Sequence, residues 1–169
     1  MEIFANELNS NLKPKEYEQY YQNRSKKHNA YISFHSKKIF YDLEKYGVVP
    51  NKTFKLNKLP NIPLQYMHHF IRGYFDGDGT VYFHNRYTPP QLRFGFYGTY
   101  DFLSSIRDYL VEYVGLNKVS VHKKKQSNVS MVTFATLNNI IKFYEYIYKD
   151  ANIYLKRKKE KFDLLLNNL

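Results

Sequence analysis

The chain has 169 residues, with 26 Lys and Arg against 15 Asp and Glu, a net charge of +11, and no cysteine. Disulfides and thiolate metal sites are therefore excluded, a reducing compartment is the default, and the charge favours a polyanionic partner, nucleic acid before anionic membrane. No basic start leads into an apolar run, and no stretch of about 18 apolar residues occurs, so a soluble chain is expected, intracellular and either cytoplasmic or organellar.

Taken in chain order, the first 60 residues echo the end of the sequence. "FANELNSNL" (4–12) resembles "FLSSIRDYL" (102–110), and "YISFHSKKIFYDLEKYG" (31–47) resembles "SMVTFATLNNIIKFYEY" (130–146), with Phe34 over Phe134 and Ser36 over Thr136. "VVPNKTFKL" (48–56) lies over "IYLKRKKEKF" (153–162) once an insertion is allowed. Two amphipathic helices can match by chance, but the matched pieces keep one order. Residues 1–60 are accordingly expected to be a partial first repeat (helix, hairpin remnant, helix) and 61–169 a complete repeat.

In that second part, Pro63 suits the first helical turn, and Met67, Ile71, Tyr74 and Phe75 follow at helical spacing. Gly79 stands where a left-handed C-cap glycine is expected. Strands are predicted at 80–86 and 91–98, the second alternating Leu92, Phe94 and Phe96 against Gln91, Arg93 and Tyr97. A helix over 100–114 is closed by Gly115, a second hairpin pairs 118–124 with 129–135, and helices at 136–149 and 154–167 complete an α+β pattern.

The stretch "FIRGYFDGDGT" (70–80) poses a physical problem. A helix C-terminus carries partial negative charge, so Asp76 and Asp78 should each cost up to about 1 kcal/mol there unless a positive group stands beside them. Gly73 and Gly77 share a helical face on which a second helix can approach closely. If that helix is a symmetry or pseudo-symmetry mate, two carboxylate ends meet, and a divalent cation such as Mg²⁺ is the positive group expected to hold them together. A D-x-D-G calcium loop is disfavoured, because the glycine and bidentate acid positions of an EF-hand fall on Val81 and Tyr87. Solvated aspartates in an ordinary turn are the simplest alternative. His68 and His69 read as packing or surface residues.

"FIRGYFDGDGTV" resembles the signature of the LAGLIDADG homing endonucleases, with Gly73, Asp76, Asp78 and Gly79 at matching positions. "GVVPNKT", the "LP.IP" run ahead of the motif and the terminal "YLKRKKEKF" resemble further family stretches, so the likeness covers nearly the whole chain. It implies an αββαββα half-domain with an antiparallel saddle sheet, motif helices packed at the centre, and site-specific, Mg²⁺-dependent cleavage of double-stranded DNA. Carried over by position, Asp78 and Gly77 would serve the metal. Gly73, Asp76 and Gly77 would form the interface helix. Lys158 would be the basic residue at the scissile phosphate or water, with Lys52 as its counterpart in the first copy. Gly95 departs from the pattern, falling near where many members carry a water-positioning Gln.

Strand alternation nominates a DNA-reading face: Tyr82, His84, Arg86, Gln91, Arg93 and Tyr97 in one hairpin, Lys118, Ser120, His122 and Lys124 in the other. Arg and Gln suit guanine and adenine edges, and Lys suits phosphate. One chain carries one motif helix where a double-strand cut by this mechanism needs two. The expectation is a mostly monomeric chain, the larger part of a split or truncated two-repeat protein, that nicks weakly unless a second chain or segment supplies another LAGLIDADG helix. A nucleic-acid-binding module of the same fold, an RNA splicing factor or DNA-binding regulator with lost or weak cleavage, is the alternative.

Overall fold

The computed structural model describes residues 5–6, 11–20, 26–48, 57–123 and 129–169. They divide into two compact units, 1–42 and 43–169.

In the first unit, β1 (Lys15–Tyr20) pairs antiparallel with β2 (Lys26–Tyr31), Lys15 opposite Tyr31 and Tyr20 opposite Lys26. Along these two strands only Asn29 is even half-buried. The pairing leans on cross-strand contacts: Glu18 with Lys26 at 2.7 Å, Glu16 with His28 at 3.0 Å, and the Tyr17 and Tyr31 rings edge to face at 5.9 Å. Exposed pairs of this kind contribute little each. The helix α1 (Lys37–Lys45) begins where Ser36 Oγ accepts the Ile39 amide at 3.2 Å, the N-cap geometry that Thr136 repeats toward Asn139 at 3.4 Å in the second unit.

The second unit runs α2 (Leu64–Asp78), β3 (Gly79–His84), β4 (Gln91–Gly98), α3 (Tyr100–Val114), β5 (Val121–Lys123), β6 (Ser130–Phe134), α4 (Leu137–Tyr148) and α5 (Lys156–Leu166). This is the expected αββαββα order with its last helical stretch in two pieces. The strands form one antiparallel sheet in the order β3-β4-β6-β5, Phe94 opposite both Val81 and Phe134. Alternation puts Leu92, Phe94, Phe96, Val132 and Phe134 under the helices, all 0 or 1% exposed. There Phe94 stacks on Phe143 at 4.2 Å, and Phe75 meets Phe96, Phe143 and Phe162 edge to face at 5.2–6.0 Å. Rings at these distances gain quadrupole contacts beyond the area they bury.

Three local expectations change. Gly79 is extended (φ −82°, ψ 163°) and opens β3 directly, so it is no left-handed cap. It is glycine because a Cβ there would fall on the ring and the carbonyl oxygen of Phe75. Gly115 does close α3 in the left-handed conformation (φ 73°). Strand β3 ends at His84, which leaves Arg86 in the turn, and β5 starts at Val121, which leaves Lys118 and Ser120 in the preceding connection. Alternation therefore assigns no face to those three.

Candidate functional site

The charge problem at the end of α2 is solved by another helix. The ammonium of Lys158, a residue only 3% exposed, donates to the carbonyls of Phe75 at 2.5 Å, Asp76 at 3.0 Å and Gly79 at 2.5 Å. Three acceptors call for the three hydrogens of a protonated lysine. In return, Asp76 Oδ2 accepts the amide of Leu155, the N-cap of α5, at 2.9 Å. The carboxylate that is misplaced for its own helix is well placed for the N-terminus of the next. Asp76 and Lys158 thus clasp α2 and α5 end to end.

The clasp is buried enough to shift both groups. Burial raises the Asp76 carboxyl above its ordinary value, against the lowering pull of the Leu155 amide, Lys158, Arg72 and Arg157. Asp76 Oδ1 is buried with no hydrogen-bond partner among the described residues, which accords with that direction. Burial, helped by Arg157, lowers Lys158, while Asp76 and Asp78 oppose it. Arg72 ties the other end of the assembly. Its guanidinium donates to Ile147 O and Ile153 O, each at 2.9 Å, and lies 2.7 Å from His69 Nδ1.

Asp78, one half-turn beyond Asp76, points elsewhere: it is exposed, as are Gly73 and Gly77. Among the described residues, a methyl group added to either glycine would meet nothing within 4 Å. Beside them an apolar cleft of about 290 Å³ is walled by Phe70, Tyr74, Tyr97 and Phe102, with Asp78 at its edge. Tyr74 is fixed there by a 2.6 Å bond from its hydroxyl to Tyr97 O, and its pKa is raised, first by burial and then by Asp78.

No cluster of three or more His, Asp or Glu side chains suited to a metal occurs among the described residues. Asp78 and the last-turn carbonyl of Gly77 offer hard oxygen donors. That set fits the way Mg²⁺ is commonly held, by one or two carboxylates with water and substrate phosphate completing its shell.

On the face of the sheet away from the helices stand Tyr82, His84, Gln91, Arg93 and Tyr97, all half-buried, with exposed His122 on the far strand. Tyr82 is the cross-strand partner of Arg93, His84 of Gln91, and His122 of Met131. Lys118, Ser120 and Arg86 are exposed off the strands. Lys52 and Lys124 lie outside the described residues. Gly95 sits mid-face, and its lack of a side chain has a steric cause: a Cβ would strike the Val132 carbonyl and crowd Thr133 Cα at 3.1 Å.

Sequence reasoning missed the buried roles of Arg72 and Lys158 as caps of other helices. Lys158 is hidden within the run Lys156–Lys159, and Arg72 is an isolated cation in its helix. The available signal was a cation at fixed helical phase next to apolar core positions, Ile71 for one and Phe162 for the other.

No family model matches the sequence, and no curated protein does. Solved structures similar to the chain are homing endonucleases. One is I-CvuI in complex with its target, 15% identical, TM-score 0.41, covering 61% of this chain and 65% of that one. Another is the archaeal intron-encoded I-Vdi141I complexed with DNA, 15% identical, TM-score 0.45, covering 62% and 69%. A third is the LAGLIDADG enzyme I-SmaMI bound to cleaved DNA, 15% identical, TM-score 0.40, covering 79% and 46%. The match spans just under two thirds of I-CvuI and less than half of I-SmaMI.

Proposed function

We propose that this chain is a site-specific, divalent-metal-dependent endonuclease of homing type, acting on phosphodiester bonds of duplex DNA. The observation that carries this reading is the division of labour at the end of α2. Asp76 is turned inward and held by Leu155 and the Lys158 clasp, while Asp78 is presented to solvent beside a helix face bare of side chains. Asp78 and the Gly77 carbonyl would hold Mg²⁺, which supplies Lewis-acid stabilisation of the leaving oxygen and a polarised water when bound. Lys158, engaged by three carbonyls, contributes by fixing the last turn so that Asp78 keeps its aim. Contact with a scissile phosphate would require it to leave those bonds. The open sheet face, with Tyr82, His84, Arg93 and Tyr97, lies against the duplex, and the net charge of +11 draws it in. A second LAGLIDADG helix, from another chain or segment, would cover Gly73 and Gly77 and bring a second carboxylate.

One observation favours the non-cleaving alternative, a nucleic-acid-binding module. Gly95 cannot carry a side chain without moving β6, so the open face lacks a water-positioning amide at that place.

Binding to long duplex DNA, measured from low to moderate salt, should weaken steeply as several phosphate contacts are screened. A flat response would remove the DNA reading. With Mg²⁺ and a library of duplex targets, the chain should nick DNA, and Asp78→Asn should lower nicking at least a hundredfold, on the order of a lost metal ligand, with binding and melting temperature nearly unchanged. Equal nicking by Asp78→Asn would end its assignment as a ligand, and binding without nicking by the unaltered chain would favour the module.

A further inference from the structure

We propose that Arg93 reads a guanine in the bound duplex and that Gln91 is the positioning residue that aims it, an inference resting on the DNA-binding part of the function proposed above. Arg93 leaves β4 between buried Leu92 and Phe94, so its side chain rises from the open face of the sheet. Gln91 Oε1 accepts from both Arg93 Nε at 3.3 Å and Nη2 at 3.1 Å, gripping the guanidinium by its side edge. The other end of the Gln91 amide donates to Ala135 O at 3.3 Å, just beyond β6, which anchors the grip in the sheet. The ring of Tyr87 lies 5.6 Å from the guanidinium carbon, with its hydroxyl 3.5 Å from Nη2.

The grip determines what remains available. A guanidinium held along Nε and Nη2 keeps its end edge, Nη1 with the outer hydrogen of Nη2, pointing away from Gln91. Nη1 has no partner among the described residues, and the second hydrogen of Nη2 meets only the Tyr87 hydroxyl at 3.5 Å, the long limit of a hydrogen bond, which a guanine acceptor would displace. Two parallel donors on a rigid plane match the O6 and N7 acceptors of guanine in the major groove, a groove wide enough for a two-stranded ribbon such as β3–β4. Phosphate also offers two acceptors, but a backbone contact needs reach rather than a locked orientation. Arg93 is locked from two sides and stands within the strand, opposite Tyr82, not in the turn. Gln91, with both ends of its amide engaged inside the sheet, is no reader of adenine.

The test is enrichment from a randomised duplex library by the unaltered chain, Arg93→Ala, Gln91→Ala and Gln91→Glu, with circular dichroism to verify folding. The unaltered chain should enrich a site containing a guanine that Arg93→Ala no longer prefers, the discrimination falling by about five- to a hundredfold for one bidentate base contact. Gln91→Ala should relax the same position while lowering overall affinity less than Arg93→Ala does. Gln91→Glu, which still offers the guanidinium an oxygen, should keep the preference. Two outcomes would overturn the inference while leaving DNA binding intact: a uniform loss of affinity across all sequences in Arg93→Ala, which marks a phosphate contact, or an enriched site that none of the variants alters. Absence of binding to any duplex by the unaltered chain would overturn the DNA reading as well.

Discussion

On one side of α2, Met67, Ile71 and Phe75 are sealed by the core, the last two with no exposed surface at all; on the other, Gly73 and Gly77 have no neighbour among the described residues within 4 Å of where a Cβ would stand. The first face is fully explained by this chain. The described residues do not explain the second: neither glycine has a positive φ, and none of them lies close enough to forbid a side chain there. A glycine inside a helix costs about 0.8–1 kcal/mol relative to alanine, so the bare face carries a cost that the fold of this unit does not require. The contrast separates what residues do for the fold from what they do for a partner, and substitutions on each face, and at the clasp between them, should behave accordingly.

The largest effect belongs to the buried face. Phe75→Ala would empty a space ringed by Phe94, Phe96, Phe143 and Phe162. A loss of about 3–5 kcal/mol is expected for a phenylalanine so enclosed, read from chemical denaturation. A cost below about 1 kcal/mol, the scale of a surface change, would mean that the ring cluster is not the core.

At the helix end the expected effect is smaller. Lys158→Met keeps the buried stem and removes the donor, which leaves the carbonyls of Phe75, Asp76 and Gly79 short of a partner. Losing an ammonium that satisfies buried acceptors should cost about 2–3 kcal/mol. Addition of Mg²⁺ in the absence of DNA should not restore it, because the metal is assigned to Asp78 and not to this cap. A variant as stable as the unaltered chain would show that the three bonds contribute nothing net.

How legible each part was in the sequence follows from the range of the interactions involved. The strands, the helices and the closing Gly115 rest on alternation, periodicity and a local backbone need, so residues such as Leu92, Phe94 and Phe96 declared their burial directly. The motif drew attention to the end of α2, and Asp78 could be singled out from Asp76 only through resemblance. The positive group beside Asp76 is Lys158, some 80 positions away, and no local pattern separates one buried ammonium from the solvated run around it. Gly79 and Gly95 were legible as special glycines, but their reason is a close approach by Phe75 in one case and by Val132 in the other, contacts that only the folded chain creates. The strand starts at 118 and ends at 86 were overdrawn because polar residues continued the alternation past the last ladder pair.

The pH dependence of stability offers a finer test of the clasp. Burial raises the folded-state pKa of Asp76 above the ordinary 3.8. Between 3.8 and that raised value the folded chain holds a proton the unfolded chain has released, so this group's contribution is present at low pH and declines as pH rises through the window. Asp76→Asn can still accept the Leu155 amide, and it has no charge to bury. The melting temperature of the variant relative to the unaltered chain should therefore climb as pH rises from about 4 toward neutrality. A relative melting temperature that falls over the same range would mean that Lys158 and Arg72 stabilise the ionised carboxylate more than burial penalises it.

The smallest effect is the most informative about the bare face. Gly73→Ala adds a methyl group with no described residue within 4 Å of it and removes backbone freedom from the unfolded chain. In the isolated chain it should raise stability by about 0.5–1 kcal/mol, a small upward shift of the denaturation midpoint with an unchanged slope. If a second motif helix packs on this face during cleavage, the same methyl group lies where two backbones must approach. Gly73→Ala, and more strongly Gly73→Leu, should then reduce double-strand cutting by a complemented enzyme while sparing duplex binding by the chain alone. Stabilisation together with undiminished cutting would show that no helix comes close to Gly73. The alternative result, destabilisation of the isolated chain, would show that its face is already covered by this protein's own residues.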